Sequence, residues 1–299
     1  EVRGVVCSGD RTFHGPVLLA TGHSARDVYR YLHRAEILIE AKPIAVGVRL
    51  EHPQSLIDEI RYHSPEGRGK YLPAAEYVYK AQAEGRGVYS FCMCPGGFVV
   101  PASTGPEETV VNGMSPANRG SRWANSGLVV ELHPEDIPAT GIKVEDPASP
   151  LALMQWCEAF EHKSYLAANR SLRAPAQRMT DFVARRHSST LPSSSYTMGL
   201  TSSDLHEWMP DFITRRLSAG FRAFDRTTRG FLTGEAQLIG VESRTSSPVR
   251  IPRDRMTYAH PVVAGLYPAG EGAGFAGGIV SAAIDGENAA QQIALALGR

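Results

Sequence analysis

Short apolar runs separated by turn signals dominate the first part of the chain. Residues 17–20 are Val-Leu-Leu-Ala, a continuous apolar run that predicts a strand buried on both faces. Residues 2–7 and 12–14 flank the turn signal Ser8-Gly9-Asp10, and this arrangement predicts a β-hairpin. The chain is therefore expected to begin with extended structure.

Residues 43–51 alternate apolar and polar positions and predict another strand. Arg49 and Glu51 fall on one side of it, which indicates a half-exposed face. Four further short strand candidates with turns between them predict an antiparallel sheet or a partial barrel; they lie at 88–91, 98–101, 109–112 and 128–132.

Helical spacing becomes frequent after residue 150. In 151–168 the apolar positions recur three and four residues apart, as on one face of a helix; they include Leu153, Trp156, Cys157 and Phe160. Three more helices are predicted at 175–186, 202–209 and 212–224. The stretch 134–150 is rich in proline and acidic residues, and we interpret it as a linker.

A glycine-rich stretch near the carboxyl terminus is the most distinctive feature of the sequence. An apolar run at 262–266 predicts a buried strand, and it is followed by Gly270, Gly272, Gly274, Gly277 and Gly278. The next positions, Val280, Ala283 and Ile284, have the spacing of a helix packed on a sheet. Glycine lets a ligand approach the backbone, and the first N–H groups of a helix have no partner inside it. The stretch therefore predicts a cradle for a phosphate or a flavin carbonyl edge, with tight ligand-free packing as the alternative.

Residues 272–277 also match the dinucleotide pattern GxGxxG. That pattern requires a following strand and an acidic residue about 20 positions further on. Only 22 residues follow Gly277 in the 299-residue chain, and they predict a single helix ending at Gly298. We therefore expect this stretch to close a nucleotide-binding fold rather than to open one.

Five segments of the chain, taken in order, carry a resemblance to a known family. They are ATGHSARD at 20–27, FCMCPGG at 91–97, VNGMS at 111–115, ESRTSSPVRI at 242–251 and the glycine-rich stretch at 265–286. Together they resemble the bacterial FAD-dependent dehydrogenases described as NAD(FAD)-utilizing, flavoproteins of the two-dinucleotide-binding-domain type. Those enzymes open with a βαβ unit whose GxGxxG binds the FAD pyrophosphate, and this chain contains no such opening. The resemblance therefore implies the C-terminal portion of such an enzyme, excised or truncated.

The resemblance implies an α/β fold, α+β overall. An incomplete Rossmann-like FAD-binding domain at 1–41 and 251–299 would be interrupted by an inserted domain at 42–250, sheet-rich at 42–133 and helical at 151–230. FAD is the implied cofactor, and Glu271 would hydrogen-bond its ribityl chain. The expected cofactor-binding residues are Ala20, Thr21, Gly22, Gly270, Glu271, Gly272, Ala273, Gly274, Gly277, Gly278 and Ile279.

Cys92 and Cys94 form a CxC pair before Pro95-Gly96-Gly97. Residues two apart on a strand point to the same face, so both sulfurs are expected to face one way. The pair could form a strained redox disulfide, supply two metal ligands, place a thiolate beside a flavin, or fill a buried space. Cys7 and Cys157 lie in unrelated contexts, and no metal site is expected.

Four other residues are candidates for catalysis or substrate binding. Arg244 and Arg250 flank a hydroxyl-rich turn and could bind a carboxylate or phosphate, or could form surface ion pairs. Asn112 could line the same cavity, although Asn112-Gly113 is also a common turn dipeptide and the turn is the favoured interpretation. His52 lies at a strand end, where it could act as an acid or base or be an ordinary core residue.

Charge and composition narrow the classes of partner. The 31 basic residues balance the 31 acidic ones, which argues against nucleic acid or an acidic membrane as a partner. No apolar run is long enough to span a bilayer, no leader pattern is present, and four cysteines are too few for a disulfide framework. A cytoplasmic protein is therefore expected.

The expected function is an FAD-dependent oxidoreductase that acts on a small molecule, with an anion as the candidate substrate. A reduced nicotinamide, NAD(P)H, is the candidate electron donor. Two alternatives stay open: a non-catalytic module that holds FAD or another nucleotide, and a piece that does not bind flavin by itself.

Overall fold

A computed structural model describes residues 1–298 of the protein. The chain separates into two compact units. Unit 1 consists of Glu1–Ile44, Val144–Gln155 and residues 244–298, and unit 2 consists of Ala45–Lys143 and Trp156–Ser243. Each unit is therefore assembled from segments that are distant in the sequence.

Strands and helices alternate irregularly along the chain. The strands are β1 (Gly4–Val6), β2 (Thr12–His14), β3 (Val17–Leu19), β4 (Glu40–Ala41), β5 (Ile44–Pro53), β6 (Lys80–Ala83), β7 (Arg86–Cys94), β8 (Phe98–Pro101), β9 (Val111–Met114), β10 (Trp123–Leu132), β11 (Ala174–Arg178), β12 (Leu200–Ser202), β13 (Gln237–Glu242), β14 (Val249–Arg250) and β15 (Leu266–Pro268). The helices are α1 (Arg26–Arg34), α2 (Gln54–Tyr62), α3 (Ile137–Thr140), α4 (Ala152–Ala167), α5 (Met179–Ala184), α6 (Leu205–Trp208), α7 (Asp211–Thr227) and α8 (Ile279–Ala296), and a short 3₁₀ turn spans Pro134–Asp136.

In unit 1, the strand before the glycine-rich stretch lies beside the strand near the amino terminus. β15 pairs in parallel with β3, so that Leu266 lies opposite Val17 and Pro268 opposite Leu19. Parallel strands end at the same edge of a sheet, which brings residues 20–22 next to the glycine-rich stretch. The predicted hairpin is confirmed, because β1 and β2 pair antiparallel.

Three predictions about burial in unit 1 are wrong. The buried strand expected at 262–266 is β15 at Leu266–Pro268 instead, and Val262 is 72% exposed in the turn before it. Leu18 of β3 is 39% exposed, so this strand is not buried on both faces. At the start of α8 the apolar side chains are also exposed, at 92% for Ile279, 72% for Val280 and 53% for Ile284. The buried face of this helix carries Asp285 instead, because its carboxylate accepts hydrogen bonds from neighbouring groups of unit 1.

The core of unit 1 is an apolar cluster between α1 and the segments around β14 and the glycine-rich stretch. Burial of such side chains contributes roughly 25 cal/mol for each Å² removed from water. The buried members are Tyr29, Leu32, Ile39, Leu151, Met154, Val249, Ile251 and Ala273.

Unit 2 is organised around a seven-stranded sheet with the order β12-β11-β13-β5-β10-β7-β6. The sheet is mixed: β11 pairs in parallel with β12, whereas β13 pairs antiparallel with both β11 and β5. The predicted helices at 151–168 and 212–224 are confirmed as α4 and α7. Their buried aromatic side chains, such as Phe160 and Phe221, are fully enclosed.

Two local predictions in unit 2 fail because long-range pairing overrides the local pattern. The predicted helix at 175–186 begins instead as β11, where Ala176 lies opposite Ile239 of β13, and becomes helical only at Met179. Asn112-Gly113 is not a turn, since it lies within β9 with Asn112 opposite Val100. Cross-strand partners are invisible in a short sequence window.

The mixed α/β class is thus confirmed at the level of a mixed sheet accompanied by helices. Within residues 1–298, no helix combines the length and the apolar character that crossing a membrane requires.

Candidate functional site

The glycine turn, residues 270–278, follows directly after β15 in unit 1. Ala269 N–H donates to Leu19 O at 3.0 Å, which fixes the entry of the turn against the end of β3. Within the turn, Gly274 N–H donates to Glu271 O at 2.9 Å and Phe275 N–H to Gly270 O at 3.2 Å. Gly270 has φ +74° and Gly274 has φ +84°, a left-handed region that favours glycine.

Two segments of unit 1 touch at Gly272 without side chains between them. A Cβ at Gly272 would lie 2.6 Å from the carbonyl carbon and oxygen of Gly22. By contrast, a Cβ at Gly22, Gly270 or Gly277 would have no protein atom within 4 Å. The two backbones are thus in direct contact at Gly272, whereas open space lies beside Gly22 and Gly277; Gly270 itself is buried.

The start of α8 borders this open space. Its N-cap residue Gly278 is extended, and no side chain caps the helix. Gly277, Gly278 and Ile279 are exposed. An uncapped helix N-terminus attracts negative charge, because its first N–H groups lack intrahelical partners.

A buried ion pair that the sequence did not predict fixes the glycine turn. The carboxylate of Asp285 accepts from Gly270 N–H at 2.7 Å and from Arg253 Nη1 at 2.9 Å. The Arg253 guanidinium also donates to Pro268 O at 2.9 Å and lies 3.9 Å from the Phe275 ring centre. Burial alone would raise the pKa of Asp285, but the hydrogen bonds from Arg253 and Gly270 hold it below its ordinary value.

Tyr29 of α1 supports the turn from the core of unit 1. Its hydroxyl donates to Gly272 O at 2.7 Å and lies 3.0 Å from the Ser247 hydroxyl. Burial raises the pKa of Tyr29 to about 12, so the hydroxyl keeps its proton. The proton is therefore available to hold the carbonyl of Gly272 in place.

Replacing Tyr29 with phenylalanine should lower the free energy of unfolding by about 1 kcal/mol, because Gly272 O loses its best donor. Denaturant unfolding measures the change, with Tyr31→Phe as the control, since Tyr31 is 61% exposed on the same helix. Equal effects of the two substitutions would contradict the assigned role.

The remaining expected cofactor-binding residues differ in accessibility. Ala20 and Thr21 are exposed, and Glu271 is partly accessible, with its Oε1 3.2 Å from His23 Nδ1. Ala273 is different, because its side chain packs in the core of unit 1 and its carbonyl accepts from Ile251 N–H at 3.2 Å. Only its backbone can contribute to a binding surface.

Arg244 and Arg250 have different environments within unit 1. Arg244 is buried, and its Nη1 donates to the Ser24 hydroxyl at 3.3 Å. Arg250 is exposed on β14, with its guanidinium 5.5 Å from the Phe275 ring centre. Their pairing as an anion clamp stays a prediction.

In unit 2, a fully buried arginine links several strands of the sheet. Arg49 of β5 donates to Asn125 Oδ1 at 2.8 Å, to Glu242 Oε2 at 3.0 Å and to Cys92 O at 2.7 Å. Its Nη2 also lies 3.2 Å from the sulfur of Cys94. The predicted half-exposed face of β5 is therefore wrong, because Arg49 and Glu51 are buried and their charges find partners across the sheet.

The neighbouring Gly113 of β9 makes room for this arginine. A Cβ at Gly113 would lie 1.9 Å from Arg49 Nη2, so the close approach requires glycine. Asn112 is only partly buried and accepts from Gly113 N–H at 2.7 Å through its own side chain. It supports the local backbone of β9.

The two cysteines of the CxC pair differ in exposure, contrary to simple strand alternation. Cys92 is exposed and Cys94 is buried. Cys92 has φ +47°, and the register between β7 and β10 shifts opposite this point, so the strand is bulged here. Within residues 1–298, no group of three or more His, Cys, Asp and Glu side chains could hold a metal ion.

His52 is enclosed in unit 2. Its Nε2 is 2.8 Å from Phe231 O, and its ring centre is 4.8 Å from that of Phe231. Burial lowers the pKa of His52 to about 4, so the ring is neutral at pH 7. It lines a cavity of about 350 Å³ together with Arg122 and Arg178, among other residues.

Comparison with known proteins identifies the family of the chain. Residues 43–245 match the family model described as FAD-dependent protein, C-terminal domain-like, and the chain therefore belongs to this family. An uncharacterized protein from Clostridium beijerinckii is 40% identical over 297 residues, which is 98% of this chain and 54% of the relative. The chain thus spans about half the length of the curated relative it matches. FAD is the cofactor that the family description implies.

Proposed function

We propose that the protein is an oxidoreductase that binds FAD at the glycine turn of unit 1. The observation that carries the proposal is the open backbone surface at Gly22 and Gly277, bordered by the uncapped start of α8. A planar ring system needs such a surface without side chains. The family match supports FAD as the ligand.

Bound FAD would supply hydride or electron transfer, and the chain would position and polarise it. The N–H groups at the start of α8 would stabilise negative charge near the flavin. Glu271 would accept hydrogen bonds from ribityl hydroxyls. The Arg253–Asp285 ion pair would hold Gly270 in its left-handed conformation and so keep the surface open.

We also propose a role for unit 1 and a subfamily for the protein. Unit 1 would be the closing part of a Rossmann-like FAD-binding domain, and the protein would be one of the NAD(FAD)-utilizing dehydrogenases. The substrate would be a small anion bound with the help of Arg244 and Arg250, and NAD(P)H would be the electron donor. The parallel pairing of β3 with β15 supports this topology.

Flavin absorbance tests the proposal. Added FAD should bind, its absorbance should bleach with dithionite, and a reduced nicotinamide should bleach it as well. Bound FAD that no physiological donor reduces would favour a non-catalytic binding module instead.

A charge-neutralising substitution tests the role of Glu271. Glu271→Gln should weaken FAD binding by about ten- to a hundredfold, because a hydrogen bond to a charged group contributes about 1.5–3 kcal/mol. Glu287→Gln is the matched control, since Glu287 is exposed on α8. Titration by flavin fluorescence measures both, and unchanged affinity in Glu271→Gln would contradict the assigned contact.

A further inference from the structure

The CxC pair of unit 2 has features that a buried packing pair would not need. Cys92 is exposed and holds φ +47°, a conformation that is costly for a residue other than glycine. The bulge in β7 directs this residue outward while Cys94 stays buried two positions later. One thiol of the pair is therefore accessible and the other is protected.

A buried positive charge lies against the pair. The Nη2 of Arg49 is 3.2 Å from Cys94 Sγ and 2.7 Å from Cys92 O. Asn125 Nδ2 and Glu242 Oε1, both in the same cluster, have no hydrogen-bond partner among residues 1–298. A cluster that served packing alone would rarely leave two such buried atoms unsatisfied.

The electrostatic environment favours a thiolate at Cys92. A hydrogen bond from the Cys94 thiol and the charge of Arg49 lower the pKa of Cys92 to about 6, against the opposing effect of burial. The pKa of Cys94 is raised by its hydrogen bond to Cys92 and by burial. The other groups near the pair are Glu242 of β13, which is paired with Arg49, Tyr77 and Ser115.

We propose that Cys92 and Cys94 form a thiol–disulfide exchange site whose substrate is a low-molecular-weight disulfide. Cys92 is the attacking thiolate, because it is accessible and the Cys94 thiol and the charge of Arg49 lower its pKa. Cys94 is the resolving thiol, because it is buried two residues away and its Sγ donates to Cys92 O at 3.4 Å.

The exchange proceeds in two steps. The Cys92 thiolate attacks one sulfur of the disulfide RSSR, whose S–S bond breaks; RS⁻ leaves and takes a proton from water. In the mixed disulfide Cys92 no longer carries a charge. The guanidinium of Arg49, whose Nη2 lies 3.2 Å from Cys94 Sγ, therefore stabilises a thiolate at Cys94. This thiolate attacks the sulfur of Cys92 and expels the second RS⁻, which takes up the proton that Cys94 lost. The dithiol is oxidised to a disulfide, and RSSR is reduced to two RSH.

Oxidised glutathione serves as the probe. The reduced wild-type protein should acquire a Cys92–Cys94 disulfide and release two thiols per chain. Cys94→Ser should stop at a mixed disulfide on Cys92, whereas Cys92→Ser should lose the reaction at least tenfold. Cys157→Ser is the matched control, because Cys157 is a buried cysteine outside the pair. Peptide mass mapping after an acid quench locates each product, and circular dichroism verifies that each variant is folded.

The rate of Cys92 alkylation against pH gives a second measurement that needs no variant. Its midpoint should lie well below the value of about 8.5 for an ordinary thiol. A midpoint at the ordinary value, undiminished reaction in Cys92→Ser, or no trapped mixed disulfide in Cys94→Ser would each overturn the proposal. None of these outcomes depends on FAD binding.

Discussion

Replacing Arg49 with methionine should lower the free energy of unfolding by about 3–5 kcal/mol, the typical cost of breaking a buried ion pair. The substitution leaves the carboxylate of Glu242 without its partner in a fully buried position. It also removes the donors that Asn125 Oδ1 and Cys92 O accept from. Denaturant unfolding of the wild type and the variant measures the loss.

The double variant Arg49→Met/Glu242→Leu tests whether the loss of stability comes from the uncompensated charge of Glu242. It should recover much of the loss, because removing both charges avoids the isolated buried carboxylate. If the double variant is as unstable as the single one, the loss comes from packing and the ion-pair explanation fails.

The same single variant should show a characteristic pH dependence. Burial raises the pKa of Glu242, and Arg49 offsets part of that rise in the wild type. Without Arg49 the folded-state pKa rises further above the unfolded value of about 4.3. A raised folded pKa means that stability is retained below the unfolded pKa and lost as pH rises. The deficit of Arg49→Met relative to wild type should therefore grow as the pH rises above the folded-state pKa that Glu242 has in the wild type, and a deficit independent of pH would contradict this account.

Replacing Gly272 with valine should weaken FAD binding by at least about tenfold and lower the free energy of unfolding by about 1–3 kcal/mol. Its Cβ would lie 2.6 Å from backbone atoms of Gly22, and the backbone of this neighbour cannot yield as a flexible side chain could. Residues 20–22 would be pushed away from the turn, and the open surface on either side would change shape. Flavin fluorescence titration and denaturant unfolding measure the two effects.

Gly286→Ala is the matched control for this substitution. Gly286 lies inside α8, and a Cβ there would meet nothing within 4 Å. Alanine in a helix interior should raise the free energy of unfolding by about 0.5–1 kcal/mol and leave FAD affinity unchanged. If Gly272→Val behaves like this control, the close approach at Gly22 has no role in binding.

Local sequence patterns predicted the order of strand, glycines and helix, because these follow one another within about 30 residues, but they misplaced the strand and the buried face of the helix. The partners of the turn were harder to predict. Arg253 and Asp285 are 32 residues apart and meet only in the folded chain. One feature of the sequence pointed to Asp285: it is the lone acidic residue in the first turns of a helix rich in small and apolar residues.

The contacts of Arg49 were hard to predict for the same reason, because its partners are distant in the sequence. A charged residue in the middle of the apolar run at 44–50 suggested a half-exposed strand, which is the common reason for such a pattern. The structure instead buries Arg49 against Glu242, a partner 193 residues away. The difference in exposure between Cys92 and Cys94 could not be predicted either, because strand periodicity does not reveal a bulge.

Hydrogen exchange with and without FAD tests the central claim most directly. Saturating FAD should slow the exchange of backbone amides in 270–281 and 20–23 relative to the rest of the chain. Protection confined to other segments, or no protection at concentrations where the flavin absorbance shows binding, would contradict FAD binding at the glycine turn.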